Sequence, residues 1–156
     1  MHCLVHAAFS GAVTILAMGQ ASAEDVQALC TKLGNNDKVK TIPASLVPKA
    51  RQLFSISNTP DDFIRKTTSF RCMGGKAWLC NTGANLVCGK ANTSRNSPGA
   101  TDFCKQNPGS DVVPMAATGH DTIYEWKCVG SKATITKTFA TVDPRGFITD
   151  QWKPLD

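Results

Sequence analysis

The chain lacks the residue patterns of most metal-dependent, nucleotide-dependent and membrane-spanning proteins. After residue 23 it has one histidine, His120, with no second histidine at the His-x-His or His-x3-His spacing of a zinc site. It has neither a GxxxxGKS/T nor a GxGxxG phosphate loop. No run of about 18 apolar residues follows residue 23, as a transmembrane helix would require. These absences predict no bound metal, no cofactor, no nucleotide and no transmembrane segment.

The first residues have the pattern of a secretory signal peptide. Residues 3–18 are almost wholly apolar or small, and residues 21–23, Ala-Ser-Ala, form the small-x-small site that signal peptidase cuts. The leader departs from the usual pattern in having no Lys or Arg at its start. We predict a signal peptide over residues 1–23 and one globular domain over residues 24–156, located in the periplasm or secreted.

Cysteine is plentiful for a chain of this length. Removal of the predicted leader also removes Cys3 and leaves an even set of cysteines. Because exported chains fold in oxidising surroundings, we predict three disulfides, although the sequence does not choose among the possible pairings. The alternative is a cytosolic protein with free buried thiols. The cysteines of the predicted domain are Cys30, Cys72, Cys80, Cys88, Cys104 and Cys128.

Mixed periodicities predict an α+β fold. Apolar residues at helical spacing indicate short helices over residues 24–33, 45–54 and 97–104. Two similar segments, 70–79 and 126–135, each place a cysteine before a Gly-Gly or Gly-Ser turn, which is typical of a β-hairpin. We predict an antiparallel sheet of about five or six strands built on these two hairpins. Short helices, mostly near the N-terminus, and disulfides should complete the fold.

Two-residue turns would fix the register of both hairpins. In the second hairpin, Trp126 should oppose Ile135 and Tyr124 should oppose Lys137, which gives one apolar face and one polar face. In the first hairpin, the two cysteines should lie on opposite faces and therefore not bond to each other. Elsewhere the composition predicts a turn at residues 35–37. A last strand should include Phe147, Ile148 and Trp152.

A basic middle third contains the candidate binding loop. Residues 38–105 carry eleven Lys and Arg against three Asp and Glu, although no run of five basic residues occurs. Residues 82–95 are rich in Gly, Asn and Ser, and cysteines flank them. A loop held by a disulfide loses less conformational freedom when it binds a partner. The predicted binding residues are Gly83, Ala84, Asn85, Lys90 and Arg95.

These features favour a non-enzymatic binding module as the function. The partner would be an anionic polymer of the cell envelope or a protein, because a basic surface attracts acidic molecules. Two simpler interpretations stay open: the loop is a structural connection without a partner, and the scattered lysines only solvate the surface.

The alternative function is that of a small exported hydrolase. His120 and the adjacent Asp121 precede a predicted strand and could supply a general base, with Cys88 as a possible nucleophile. In the simpler interpretation, His120 lies in a turn and contacts the backbone. Two carboxylates of a glycoside hydrolase could also come from the acidic residues of the domain. Those candidates are Asp102, Asp111, Asp121, Glu125 and Asp143.

The whole predicted domain resembles small exported bacterial proteins of uncharacterised function. That resemblance carries no activity with it. It rests on five short segments: Arg71-Cys72, Gly83-Ala84-Asn85-Leu86, Ala117-Thr118-Gly119-His120, Ile123-Tyr124-x-Trp126-x-Cys128 and Asp143-x-Arg145-Gly146-Phe147.

A local segment is similar to periplasmic inhibitors of c-type lysozyme. The aromatic-x-Cys-x-Gly-Gly pattern at residues 70–75 resembles their opening hairpin, and residues 82–84, Thr-Gly-Ala, resemble their Ser-Gly-Ala inhibitory loop. The resemblance covers about 15 residues and implies a small antiparallel barrel that plugs a lysozyme cleft. The positive charge of this chain departs from what such an inhibitor needs, because lysozymes of that type are also basic and like charges slow their encounter.

Overall fold

The structure, a computed structural model, describes residues 22–83 and 87–155. Nearly all of the predicted signal peptide, and Ala84 and Asn85 of the predicted binding loop, lie outside the described residues. The helices are α1 (Ala23–Leu33), α2 (Val47–Phe54), α3 (Asp61–Thr67), α4 (Pro98–Gln106) and α5 (Met115–Thr118). The strands are β1 (Asn36–Thr41), β2 (Thr68–Met73), β3 (Lys76–Asn81), β4 (Tyr124–Val129), β5 (Lys132–Thr138) and β6 (Trp152–Pro154). This content confirms the predicted α+β class.

The strands form two sheets, so the prediction of a single sheet is wrong. The β2–β3 hairpin lies at the centre of a four-stranded antiparallel sheet with the order β1-β2-β3-β6, and the β4–β5 hairpin forms a sheet of its own. The outer edge of β4 is already hydrogen-bonded to the backbone of residues 110–113, so it is not open to a strand of the larger sheet. The fully buried Cys104 of α4 is bonded to Cys128 of β4, and the apolar face of the second hairpin packs against this helix. The edges of the larger sheet are already occupied by β1 and β6.

The first hairpin has the predicted register. Cys72 pairs with Ala77 across a turn formed by Gly74 and Gly75, whose φ angles are 60° and 76°. Two positive φ angles in succession define the type I′ turn, which matches the twist of the strands that it joins. As predicted, Cys72 and Cys80 are not bonded to each other.

The second hairpin has the predicted register only near its turn. Trp126 pairs with Ile135 as predicted, but Tyr124 pairs with Thr138 and not with Lys137. A β-bulge causes the difference, because Thr136 is an extra residue in β5 and its hydroxyl donates a hydrogen bond of 3.2 Å to the Glu125 carbonyl. The alternation of β4 is unaffected: Tyr124, Trp126 and Cys128 are buried, and the residues between them are exposed.

The helices near residues 24–33, 45–54 and 97–104 are confirmed. Ser22 caps α1 through a capping box with Asp25, and Ser97 caps α4 by accepting a hydrogen bond from a backbone amide. A single turn of 3₁₀ helix at Ala44–Leu46 precedes α2. The short helix α5 was not predicted, because its four residues are too few to show a periodicity.

Two predictions outside the hairpins are wrong in detail. The predicted turn at residues 35–37 is the start of β1, where Asn36 pairs with Cys72 before an irregularity in the register. Phe147 and Ile148 form isolated bridges, and the last strand begins only at Trp152. A turn of 3₁₀ helix at Thr149–Gln151 separates Ile148 from Trp152 and interrupts the extended backbone.

The buried side chains form three clusters. The N-terminal core joins α1, α2 and α3 to β2 and β3, and the C-terminal core joins α4 to β4 and to Ile148. Between them lies the junction cluster, which contains Phe147 and Trp152. Each cluster includes one disulfide. The bonds are Cys30–Cys72 in the N-terminal core, Cys104–Cys128 in the C-terminal core and Cys80–Cys88 in the junction cluster.

Candidate functional site

The predicted binding loop follows β3 and pairs with two segments from the C-terminal half of the chain. The Cys80–Cys88 disulfide closes its first part over a separation of 8 residues, and Gly83 is exposed. After the disulfide, the backbone of Lys90 bridges to Phe147, and that of Asn92 bridges to Thr122. The second half of the loop is therefore held in place by backbone pairing to the segments that contain Phe147 and Thr122.

Lys90 is exposed, but it already has an acidic partner. Its ammonium nitrogen lies 3.2 Å from a carboxylate oxygen of Asp37, and Arg145 donates to the other oxygen of the same carboxylate. The hydrogen bond from Arg145, together with a second one from Lys90, holds the pKa of Asp37 below its usual value despite partial burial. Because Asp37 neutralises part of its charge, Lys90 attracts a distant anion less strongly than a free lysine would.

Arg95 packs on an aromatic ring. Its guanidinium carbon lies 5.5 Å from the centre of the Tyr124 ring, within the range of a cation–π contact. The Tyr124 hydroxyl donates a hydrogen bond of 3.3 Å to the backbone carbonyl of Thr93. These two contacts fix residues 93–95 of the loop against β4.

Tyr124 also lines a cavity of about 430 Å³, which we call the Trp126 cavity. This volume falls within the range of small-molecule and side-chain pockets in proteins. The lining consists mostly of apolar and aromatic side chains, with two carboxylates. The lining residues are Asp111, Val112, Val113, Pro114, Met115, Thr118, Tyr124, Glu125, Trp126, Thr136 and Phe139.

Backbone hydrogen bonds position the two walls of the Trp126 cavity. The amide of Val113 donates to the Trp126 carbonyl at 2.9 Å, and the amide of Cys128 donates to the Ser110 carbonyl at 2.8 Å. These bonds hold residues 110–113 along the free edge of β4. The Tyr124 and Trp126 rings meet edge to face, with their centres 6.2 Å apart. This packing gives the cavity a rigid aromatic wall.

Two features of the Trp126 cavity are polar. Glu125 lies 3.9 Å from the ammonium of Lys137, whereas no ion pair involves Asp111 among the described residues. The indole nitrogen of Trp126 is buried and has no hydrogen-bond partner within the described part of the chain. The cavity is thus an apolar pocket whose lining includes two acidic residues, and the unpaired indole N–H belongs to one of its wall residues.

The structure does not bring the predicted hydrolase residues together as a catalytic group. His120 is exposed in the turn after α5, and no hydrogen bond joins its imidazole to Asp121 in residues 22–83 and 87–155. The Asp121 carbonyl oxygen instead accepts a hydrogen bond of 2.7 Å from the amide of Asn92. The suggestion that Cys88 is a nucleophile is wrong, because its sulfur is bonded to Cys80.

The predicted carboxylate candidates are dispersed. Asp143 pairs with the buried Arg71, and Asp102 pairs with Lys105 at 2.9 Å on the surface of α4. Asp111 and Glu125 are the two of the five candidates that belong to the lining of one cavity, the Trp126 cavity.

The sequence analysis did not predict the Trp126 cavity. The available signal was the pair Val112-Val113 beside Pro114, an apolar segment outside any predicted element.

Within the described residues, no group of three or more His, Cys, Asp or Glu side chains is arranged to hold a metal ion. None of the described helices has the length and apolar character needed to cross a membrane. Comparison with known proteins finds no match to any family model, any curated protein or any solved structure.

Proposed function

We propose that the chain is an exported, non-enzymatic binding domain that recognises another protein through the Trp126 cavity and the loop beside it. The observation that carries the proposal is the cavity itself, a pocket of about 430 Å³ with an aromatic wall. Pockets of this size and lining accept a single projecting side chain or a small organic group. Export is supported by the signal-like leader and by three disulfides, which persist in oxidising compartments.

The surroundings of the cavity favour a protein partner over an anionic polymer. Lys90 is paired with Asp37, and Arg95 stacks on Tyr124, so both cations of the loop are already engaged. The lining of the cavity includes two acidic residues, Asp111 and Glu125, whose negative charge disfavours a polyanion. A protein can instead insert one side chain into the pocket and contact the loop with its backbone.

Two exposed valines allow a matched test. Val112 lines the cavity and is 66% exposed, whereas Val129 is 56% exposed at the end of β4 and does not line it. Val112→Arg should fill the mouth of the cavity, and Val129→Arg adds the same charge elsewhere. Neither substitution removes a buried contact, so we expect both variants to fold.

The experiment uses immobilised wild-type domain, Val112→Arg and Val129→Arg to capture proteins from an extract of the cell envelope. A specific partner should be retained by the wild type and by Val129→Arg, and should be at least tenfold depleted on Val112→Arg in quantitative mass spectrometry. Equal retention by all three proteins would reject the cavity as the binding site. Retention of envelope polysaccharide without protein would favour the polymer, and retention of a c-type lysozyme would favour the inhibitor.

One further variant distinguishes the hydrolase alternative from the proposed binding domain. His120→Ala should leave capture of the partner unchanged, because His120 is exposed and does not line the cavity. If the chain is instead a hydrolase that uses His120, this variant should lose about a hundredfold or more in rate on its substrate.

A further inference from the structure

The lining of the Trp126 cavity is acidic, although the chain as a whole is basic. The formal net charge of the chain is +5, yet among the described residues the lining contains Asp111 and Glu125 and no Lys, Arg or His. In the part of the chain that the structure describes, Glu125 is the one of the two with a basic neighbour, Lys137, and at 3.9 Å that contact is weak. Asp111 therefore supplies a carboxylate that is not neutralised by any of the residues described.

The aromatic rings of the same cavity also favour a positive charge. The face of an aromatic ring carries negative electrostatic potential and attracts an ammonium or a guanidinium group. Tyr124 already holds the guanidinium of Arg95 over its ring. Among the described residues, no Lys or Arg stacks on the rings of Trp126 or Phe139.

Trp126 adds an independent observation. Its side chain is 6% exposed, and its indole N–H is a buried donor without a partner in the described part of the chain. A buried donor without an acceptor destabilises the side chain that carries it, and a hydrogen bond to an acceptor removes that cost.

On these grounds we propose that the Trp126 cavity binds a basic side chain, the ammonium of a lysine or the guanidinium of an arginine, presented by a peptide segment of the partner. This inference rests on the proposed function, because it names the group that enters the same cavity. The aliphatic stem of the basic residue would pack against Val112 and Met115 at the apolar wall. Its charged end would lie near Asp111 and the aromatic faces.

Three short peptides test the charge without knowledge of the partner. They are acetyl-Ala-Lys-Ala-amide, the same peptide with norleucine in place of lysine, and the same peptide with glutamate. Norleucine keeps the stem and removes the ammonium group. Binding is followed by the shifts of backbone amide and indole N–H signals in NMR spectra of the oxidised domain. Concentrations up to about 10 mM would reveal even millimolar affinities.

We expect the lysine peptide to shift the signals of Val113 and Trp126 with a Kd at least threefold below that of the norleucine peptide. The glutamate peptide should bind at least tenfold more weakly than the lysine peptide. Asp111→Asn should weaken the lysine peptide about threefold or more and leave the norleucine peptide unchanged. Asp102→Asn is the matched control, because it removes an exposed carboxylate of α4 that does not line the cavity.

The outcomes separate this inference from the proposed function. If all three peptides bind at the cavity with equal Kd, the cavity is a binding site but its preference for a cation is rejected. If no peptide binds while partner capture still depends on Val112, the cation inference is rejected and the binding domain stands. If no peptide binds and capture does not depend on Val112, both are rejected.

Discussion

The guanidinium of Arg71 in β2 forms an ion pair with the carboxylate of Asp143, which lies 72 residues further along the chain. Arg71 is 1% exposed, and its guanidinium lies 4.0 Å from the centre of the Phe147 ring and 4.7 Å from that of the Trp152 ring. The pair therefore joins β2, one of the two central strands of the larger sheet, to the turn at residues 143–146. A buried charge of this kind is tolerated because both an acid and two aromatic faces surround it.

Removal of Arg71 should destabilise the domain strongly. Arg71→Met keeps much of the side-chain volume but leaves Asp143 partly buried without its cation, and breaking a buried pair in this way costs about 3–5 kcal/mol. The free energy of unfolding, measured by urea denaturation of the oxidised protein, should fall by that amount. Arg65→Met on the exposed face of α3 is the control and should change stability by less than about 0.5 kcal/mol. Similar losses in both variants would show that the ion pair does not stabilise the junction.

The same carboxylate predicts a loss of stability in acid. Burial raises the pKa of Asp143, but hydrogen bonds from the Phe147 amide and the Arg71 guanidinium outweigh burial. A further hydrogen bond from the Arg145 amide also lowers the pKa, so the pKa of Asp143 in the folded state lies below the ordinary 3.8. A carboxylate whose pKa is lowered by folding stabilises the folded state when the pH is above its pKa in the unfolded chain. This stabilisation is lost as the pH falls through its pKa in the folded protein.

This acid effect is measured by urea unfolding between about pH 6 and about pH 2. The wild type should lose stability more steeply below the unfolded pKa of about 3.8 than Asp143→Asn does, because the variant has no carboxylate to protonate. Asp62→Asn, which removes an exposed carboxylate of α3, should leave the steepness unchanged. An Asp143→Asn curve parallel to that of the wild type would contradict the assignment.

Gly99 in α4 should tolerate no side chain. A Cβ atom at this position would lie 1.9 Å from the carbonyl oxygen of Ala117 in α5, so one of the two helices would have to move. Gly99→Ala should therefore cost about 1–3 kcal/mol, the range for overpacking, in the free energy of unfolding. Gly89→Ala is the control, because a Cβ there meets nothing within 4 Å. A Gly99→Ala protein as stable as the wild type would show that α4 and α5 pack less closely.

The disulfides should differ in their contributions to stability. Cys30–Cys72 spans 42 residues and Cys80–Cys88 spans 8, and a longer closed loop restricts the unfolded chain more. In the chain-entropy description, replacing the first pair by alanines should cost about 4 kcal/mol and replacing the second about 2.5 kcal/mol. Denaturation of the two double variants measures the difference. Equal losses would indicate that local packing, and not chain entropy, decides their contributions.

The local parts of the fold could be predicted because their causes are local. The Gly74-Gly75 turn and the alternation of apolar residues in β4 determine the strand pairing near the two hairpin turns. Capping serines and the helical spacing of apolar residues determine three of the helices. The bulge at Thr136 was not predictable, because an extra residue in one strand leaves the pattern of alternation almost unchanged. The division into two sheets depends on which segments occupy the strand edges, namely β1 and β6 in the larger sheet and residues 110–113 beside β4, and the alternation of apolar residues does not encode that choice.

The candidate site was the least predictable part, because its residues come together only through tertiary packing. The sequence drew attention to Lys90 and Arg95 as free cations, whereas the structure pairs the first with Asp37 and stacks the second on Tyr124. Asp37 lies far away in sequence, so its role could not be seen in the composition of the loop. The Trp126 cavity combines residues of β4 and β5 with Phe139 and the segment at 111–118, and no pattern in these separate segments indicates that they enclose a pocket.

The presence of one sulfur bridge in each buried cluster has a consequence for how the molecule opens. In the described residues, no bridge links the N-terminal core to the C-terminal core. Each core could then behave as its own cooperative unit, and opening of one would not require opening of the other. Amides of β2 and β4 would exchange their hydrogens for deuterium with different protection, and breaking one bridge would accelerate exchange chiefly in the unit that contains it.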